Sequence, residues 1–128
     1  MTLLLDTCTF LWVVAEPQKM SVHARQLFEA ADNEVYLSAA SGWEIARKYR
    51  ARRLELSESP DHYVPLQRNL HGILPLAIDE ESALHTVRLP ELHRDPFDRI
   101  IVSQAIVHGM TILTPDPLIS QYPARVVW

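Results

Sequence analysis

The chain has 128 residues, 48% of them hydrophobic and 22% charged, a balance that excludes a disordered or fibrous segment and predicts one globular domain over residues 1–128. A single cysteine, Cys8, excludes an intrachain disulfide and a cysteine-based zinc site and fits a reducing compartment, so a cytoplasmic location is expected. Sixteen acids against twelve bases give a net charge of −4, which taken alone speaks against general attraction to a nucleic-acid backbone.

Short apolar runs alternate with stretches of helical period, the pattern of an α/β domain with a short, mostly parallel central sheet flanked by helices. Leu3-Leu4-Leu5 reads as a strand, and a helix through Phe10, Leu11, Val13 and Val14 should stop near Pro17. A second helix is expected over Val22 to Ala31, a turn at Asp32-Asn33 and a strand at Val35-Tyr36-Leu37. Ser41 is expected to open the next helix, which runs to about Arg50, and Pro60 to open another that reaches Leu70. Ile73 to Leu76 reads as extended, with Pro75 marking an edge strand or strand end. Asp79 caps a helix that ends before Leu89-Pro90. Pro96 to His108 carries apolar residues around much of its circumference, which predicts a largely buried helix with Gly109 as its stop. A strand at Met110 to Leu113, a proline-rich loop around Asp116 and a short strand at Val126-Val127 complete the series. No basic segment precedes the apolar start, and no apolar run approaches the ~18 residues of a membrane helix, so neither secretion nor membrane spanning is expected.

In a parallel sheet the carboxyl end of each strand and the start of the next helix share one edge, where open α/β folds bind their ligands. Asp6, Glu44, Asp98 and Asp116 all fall at such points. Each has a local alternative. Ser41-Gly42-Trp43-Glu44 fits a capping box. In Asp95-Pro96-Phe97-Asp98, Asp95 reads as N-cap and Asp98 as the third helical residue. Asp116, between Pro115 and Pro117, fits a turn former, and Asp6 fits a helix cap. As a set they are harder to explain locally, because carboxylates brought to about 5 Å repel by roughly 3 kcal/mol per pair at an effective dielectric near 20. The chain has no His-x-x-x-His or His-Glu-x-x-His spacing for zinc. All-oxygen donors suit Mg²⁺ or Mn²⁺, ions that activate water against a phosphodiester.

The strings Leu3-Leu4-Leu5-Asp6-Thr7, Ser41-Gly42-Trp43-Glu44-Ile45-Ala46, His93-Arg94-Asp95-Pro96-Phe97-Asp98-Arg99 and Leu113-Thr114-Pro115-Asp116 together resemble the PIN domain family, and within it the VapC-type toxins of bacterial toxin–antitoxin pairs. The resemblance spans essentially the whole chain. It implies a three-layer PIN-like fold and a Mg²⁺- or Mn²⁺-dependent endoribonuclease with its acids at Asp6, Glu44, Asp98 and Asp116. It also implies an antitoxin partner that covers the acidic site, and a homodimer. The run Asp98-Arg99-Ile100-Ile101 favours Asp98 over Asp95 as the third acid; Asp95 is left to assist through water. Thr7 and Thr114 are candidate supporting hydroxyls, or local backbone partners.

Arg47, Lys48, Arg50, Arg52 and Arg53 form the one strongly basic cluster, on and just beyond the helix that carries Glu44. It reads either as a solvated helix face with a Glu44–Lys48 pair or as cations for an RNA backbone, with Tyr49 or Trp43 offering a stacking face. Trp12 and Trp43 are otherwise expected to pack in a core or interface. Arg99 is expected to orient Asp98, contact substrate or form a structural ion pair. Histidine catalysis has only a generic candidate in His93, and Cys8 is expected to be a small packed residue. Exposed members of Leu11, Trp12 and Val13 are candidate partner contacts.

Two other functions remain open. A haloacid-dehalogenase-like phosphatase also places an aspartate after its first strand, but Cys8 stands where that family needs an acid and no downstream lysine is clear. A binding module that lost turnover is the non-enzymatic alternative. Sixteen acids less the four assigned to the site leave twelve, equal to the twelve bases, so the excess negative charge can be placed at one locus.

Overall fold

A computed structural model describes residues 1–128. Strands β1 (Thr2–Leu5), β2 (Glu34–Ser38), β3 (Leu74–Leu76), β4 (Thr111–Leu113) and β5 (Arg125–Val127) form one sheet in the order β3-β2-β1-β4-β5. Every neighbouring pair is parallel. β1 occupies the centre because Leu3, Leu4 and Leu5 are all fully buried, as a strand covered on both faces requires. Their alternation splits the core. Leu3 and Leu5 join Phe10, Val13, Ile45, Tyr63 and Val64 on one face, and Leu4 joins Ala40, Ile101, Val102, Ala105 and Ile112 on the other. The result is a helix–sheet–helix sandwich, the three-layer α/β architecture expected.

Register sets the position of the site. Leu5 pairs with both Leu37 and Leu113. The residues that follow, Asp6, Ser38 and Thr114, therefore leave the sheet at one level.

Helix α1 (Thr7–Ala15) starts directly after Asp6, its N-cap, and ends before the 3-10 turn Pro17–Lys19. Its Val13 is core, not surface. Helix α2 (Val22–Glu29) stops short of Ala31, because the Asn33 side-chain amide bonds Leu27 O and turns the chain. Helix α3 (Ala39–Arg50) begins two residues before the expected Ser41. Ser38 is its N-cap, accepting from Ala40 N at 3.0 Å, so Ser41 is interior, the capping box does not form and Glu44 lies in the second turn. The Ser38 hydroxyl also donates to Gln104 Oε1 at 2.6 Å, a tertiary bond that favours this serine over Ser41.

The end of α3 is a Schellman motif. Arg53 N bonds Lys48 O at 2.8 Å and Arg52 N bonds Tyr49 O at 3.0 Å. The left-handed residue this requires is Arg52, with φ 58°. Helix α4 (Pro60–Leu70) starts on a proline. Helix α5 (Glu80–His85) is capped by Asp79, whose carboxylate also pairs with His108 at 2.8 Å and so ties α5 to the end of α6 (Pro96–His108). Asp95 caps α6 through the amides of Phe97 and Asp98, and Gly109 ends it at φ 67°. No helix is long and apolar enough to cross a membrane.

Candidate active site

Asp6, Glu44, Asp98 and Asp116 all line one cavity of about 380 Å³ at the carboxyl edge of the sheet, with Asp95 beside them. Four separate chain segments bring them there: Asp6 and Asp116 follow β1 and β4, and Glu44 and Asp98 project from α3 and α6. Asp6 is 4% exposed. Its Oδ1 accepts from Thr9 N at 2.9 Å and its Oδ2 from Thr114 Oγ1 at 2.7 Å. Burial outweighs these hydrogen bonds, and together with the nearby Asp116 charge it holds the Asp6 carboxyl above the ordinary range.

Glu44 is equally buried, and both its oxygens are engaged. Oε1 accepts from Thr7 Oγ1 at 2.7 Å, and Oε2 meets Lys48 Nζ at 2.5 Å. The Ser41 hydroxyl stands 3.0 Å from Thr7 Oγ1 and completes this chain. Asp116 accepts from Leu118 N at 2.9 Å through Oδ1, while its own N–H bonds Thr114 Oγ1 at 3.1 Å. The turn-forming role and the cavity position are thus held by one residue.

Asp98 is the electrostatic outlier. Desolvation first, then the charges of Asp95, Glu44, Asp6 and Asp116, push its carboxyl up to about 7. No lysine or arginine pairs with Asp6, Asp98 or Asp116. The one cation-forming group at ion-pair distance from Asp98 is His93, whose Nε2 lies 4.0 Å from Asp98 Oδ2 and is buried with no hydrogen-bond partner. His93 thus has a specific place beside the acids, which its isolated position in the sequence did not signal.

The donor set fits a hard divalent cation: crowded carboxylate oxygens, two held partly against ionisation, and no protein cation to neutralise three of them. As the side chains lie, no three of them are yet drawn together into a cage for an ion.

The basic cluster divides. Lys48 and Arg53 reach the acidic cavity, and Arg47 joins them in an adjoining depression against Pro96 and Phe97. Arg50 and Arg52 instead line a separate hollow with Tyr49 and Leu56. Arg99 is a correction: it neither pairs with Asp98 nor lines the cavity. It donates to Pro90 O at 2.8 Å, Thr86 O at 3.0 Å and Tyr122 Oη at 3.3 Å, fastening the loop that precedes α6. Trp43 is 56% exposed, so of its expected places the core is excluded and a surface one remains. Cys8 is also a correction: it is not packed but exposed at the cavity rim, with its thiol pushed up to about 11 by desolvation and the Asp6 charge. A helix N-terminus does not activate it.

A parallel sheet whose central strand delivers an aspartate to a carboxylate-lined edge fits a PIN domain, and the chain belongs to that family, which it matches over residues 3–124. Within the family it belongs with the VapC-type proteins. It is 34% identical over 116 residues to ribonuclease VapC22 of Mycobacterium tuberculosis (strain ATCC 25618 / H37Rv), a match covering 90% of this chain and 87% of that one. Ribonuclease VapC16 of the same strain is 38% identical over 61 residues, 48% of this chain and 43% of that one. Among solved structures, VapBC2 from Rickettsia felis bound to a promoter DNA fragment superposes with a TM-score of 0.75 at 15% identity, covering 99% of this chain and 98% of that one. DNA-bound VapBC from Salmonella typhimurium superposes with a TM-score of 0.68 at 18% identity, covering 99% and 97%. At these identities the structural likeness speaks for the fold.

Proposed function

We propose that this protein is the ribonuclease toxin of a VapC-type toxin–antitoxin pair, hydrolysing RNA phosphodiester bonds with Mg²⁺ or Mn²⁺. One observation carries the reading: Asp6, Glu44, Asp98 and Asp116 converge on a single cavity, with the Asp98 carboxyl pushed up to about 7 and no lysine or arginine paired with it. The similarity to ribonuclease VapC22 along 90% of the chain supports the same reading.

Asp6 and Asp98 are the principal candidates to hold the ion, with Asp116 and Glu44 completing the set. When bound, the ion supplies Lewis-acid chemistry, activating water and stabilising charge on the leaving oxygen. Thr114 and Thr7 orient Asp6 and Glu44 through their hydroxyls. Asp95 holds the start of α6, and with it Asp98, through its two amide bonds. Lys48 and Arg53 at the cavity, with Arg47 beside it, offer positive charge to a phosphate that reaches the acids. Arg50 and Arg52 are positioned for more distant backbone contact. The Arg99 hydrogen bonds favour a structural role over substrate contact.

The partner protein is proposed on the same basis as the activity: the VapBC neighbours are described as complexes. A cognate antitoxin would cover the acidic cavity, and a homodimer is the proposed assembly. The test is cleavage of total RNA by purified protein with Mg²⁺ or Mn²⁺, against EDTA and against Asp6→Asn. Metal-dependent cutting abolished in the variant supports the reading; equal cutting by both overturns it.

A second reading, RNA or protein binding without turnover, would be selected by metal binding without cleavage of any cellular RNA. The phosphatase alternative loses its support, since the residue two positions after Asp6 is Cys8 and the chain is a PIN domain.

A further inference from the structure

Trp43 is left unused by the acidic site. Its ring meets Phe97 edge-on, with centroids 5.0 Å apart and planes at 83°. That contact braces the indole from the first turn of α6 while the residue remains 56% exposed. Next to this pair, between α3 and the start of α6, runs a depression of about 250 Å³ lined by Arg47, Lys48, Arg53 and Phe97. Glu44, Lys48 and Arg53 line both this depression and the acidic cavity, so the two are continuous. Arg47 follows Trp43 by four residues on α3 and shares its face. Neither Arg47 nor Arg53 has a carboxylate within ion-pair distance.

A fixed aromatic ring beside unpaired cations, opening into the cleavage site, matches a single-stranded nucleic acid, whose unpaired bases stack while its phosphates seek positive charge. A duplex keeps its bases stacked on each other and has none to offer. An apolar protein segment would match a broader apolar surface, whereas here one guanidinium shares the α3 face of the ring and a second lines the adjoining depression. We infer that this groove carries one RNA strand away from the cleaved bond, with an unpaired base stacked on Trp43 and neighbouring phosphates held by Arg47 and Arg53. The inference rests on the ribonuclease reading and adds to it a stacking ring and two phosphate-holding cations beside the acids.

The experiment measures fluorescence anisotropy of a labelled 12-nucleotide oligoadenylate, and of an equally long strand made wholly of abasic residues, on the Asp6→Asn protein. Trp43→Ala should weaken oligoadenylate binding about tenfold and leave the abasic strand unaffected, while Trp43→Phe keeps most of the affinity. Arg47→Ala should weaken both strands alike and lower the salt slope by about 0.7. Equal loss on both strands in Trp43→Ala overturns the stacking role. No loss on either overturns it too, and assigns the ring to a protein contact. Cleavage by the unsubstituted protein is scored separately. Base-dependent binding without cleavage would sink the ribonuclease reading alone, and cleavage with no effect of Trp43 would sink the track alone.

Discussion

Thr114 Oγ1 donates a hydrogen bond of 2.7 Å to Asp6 Oδ2 across 108 positions of sequence, and the same oxygen accepts from Asp116 N at 3.1 Å. One buried hydroxyl thus links the ends of β1 and β4 and couples two acids of the cavity. Thr114→Val keeps the shape and removes the donor. It should destabilise the protein by about 1–3 kcal/mol, the cost of unsatisfied buried polar groups, and reduce cleavage well before the fold is lost. Urea unfolding together with RNA cleavage would check this; Thr114→Ser should restore both, and an unimpaired valine variant would refute the coupling.

Asp98 makes the stability of the metal-free protein depend on pH. Its folded carboxyl is raised to about 7, chiefly by desolvation and then by Asp95, from the ordinary 3.8. Below about pH 4 it is protonated in both states and costs nothing. As pH rises towards 7 the unfolded chain ionises first, so stability falls, and above 7 the penalty is constant. Asp98→Asn should show a shallower slope, with the raised Asp6 carboxyl supplying the remainder, and melt higher than the parent in EDTA at pH 8, by roughly 5 °C. Mn²⁺ binding should release more protons from the parent than from Asp98→Asn at pH 6, and the difference should shrink at pH 8, read from calorimetry in two buffers. Identical melting curves across the range would remove Asp98 from the electrostatic centre.

Cys8 offers a chemical readout of the same field. It is exposed, yet desolvation and the Asp6 charge push its thiol up to about 11. Maleimide labelling of the folded protein at pH 8 should be at least about tenfold slower than after unfolding in urea, because the thiolate is the nucleophile. The rate should climb steadily to pH 10. Equal rates for folded and unfolded chains would show that the acids do not reach it.

Arg52 sits in the left-handed region at φ 58° as the residue past the α3 C-cap. Glycine carries no Cβ penalty there, so Arg52→Gly should stabilise by about 0.5–1 kcal/mol in urea unfolding despite losing a cation. A destabilised variant would mean that the Arg52 side chain contributes more to the fold than its backbone costs.

Much of the framework is legible along the chain because it is written in local chemistry. Three consecutive buried leucines mark the central strand, Asp95-Pro96 marks a helix start and Gly109 its stop, and acids that follow strands fall on one edge. What escapes is decided by distant partners. Ser38 and Ser41 are equivalent caps by composition, and the bond from Ser38 to Gln104, 66 residues away, separates them. Arg99 looks like a substrate ligand until its carbonyl partners at Thr86 and Pro90 are seen. His93 acquires meaning only opposite Asp98. Trp43 fits a core, an interface or a stacking face by sequence alone, and its exposure beside Phe97 places it at the surface. A left-handed arginine carries no compositional sign of its conformation.

The crowding of carboxylates around Asp98 bears on the genetics of the protein. Asparagine at Asp98 removes one charge from a mutually repelling group, and asparagine at Asp6 still caps α1 through its side-chain oxygen. Inactivating changes at these positions therefore carry little folding penalty. In a population growing without the antitoxin, survivors should be rich in single carboxylate substitutions that accumulate as full-length, folded protein, outnumbering the core mutations that silence a protein by unfolding it.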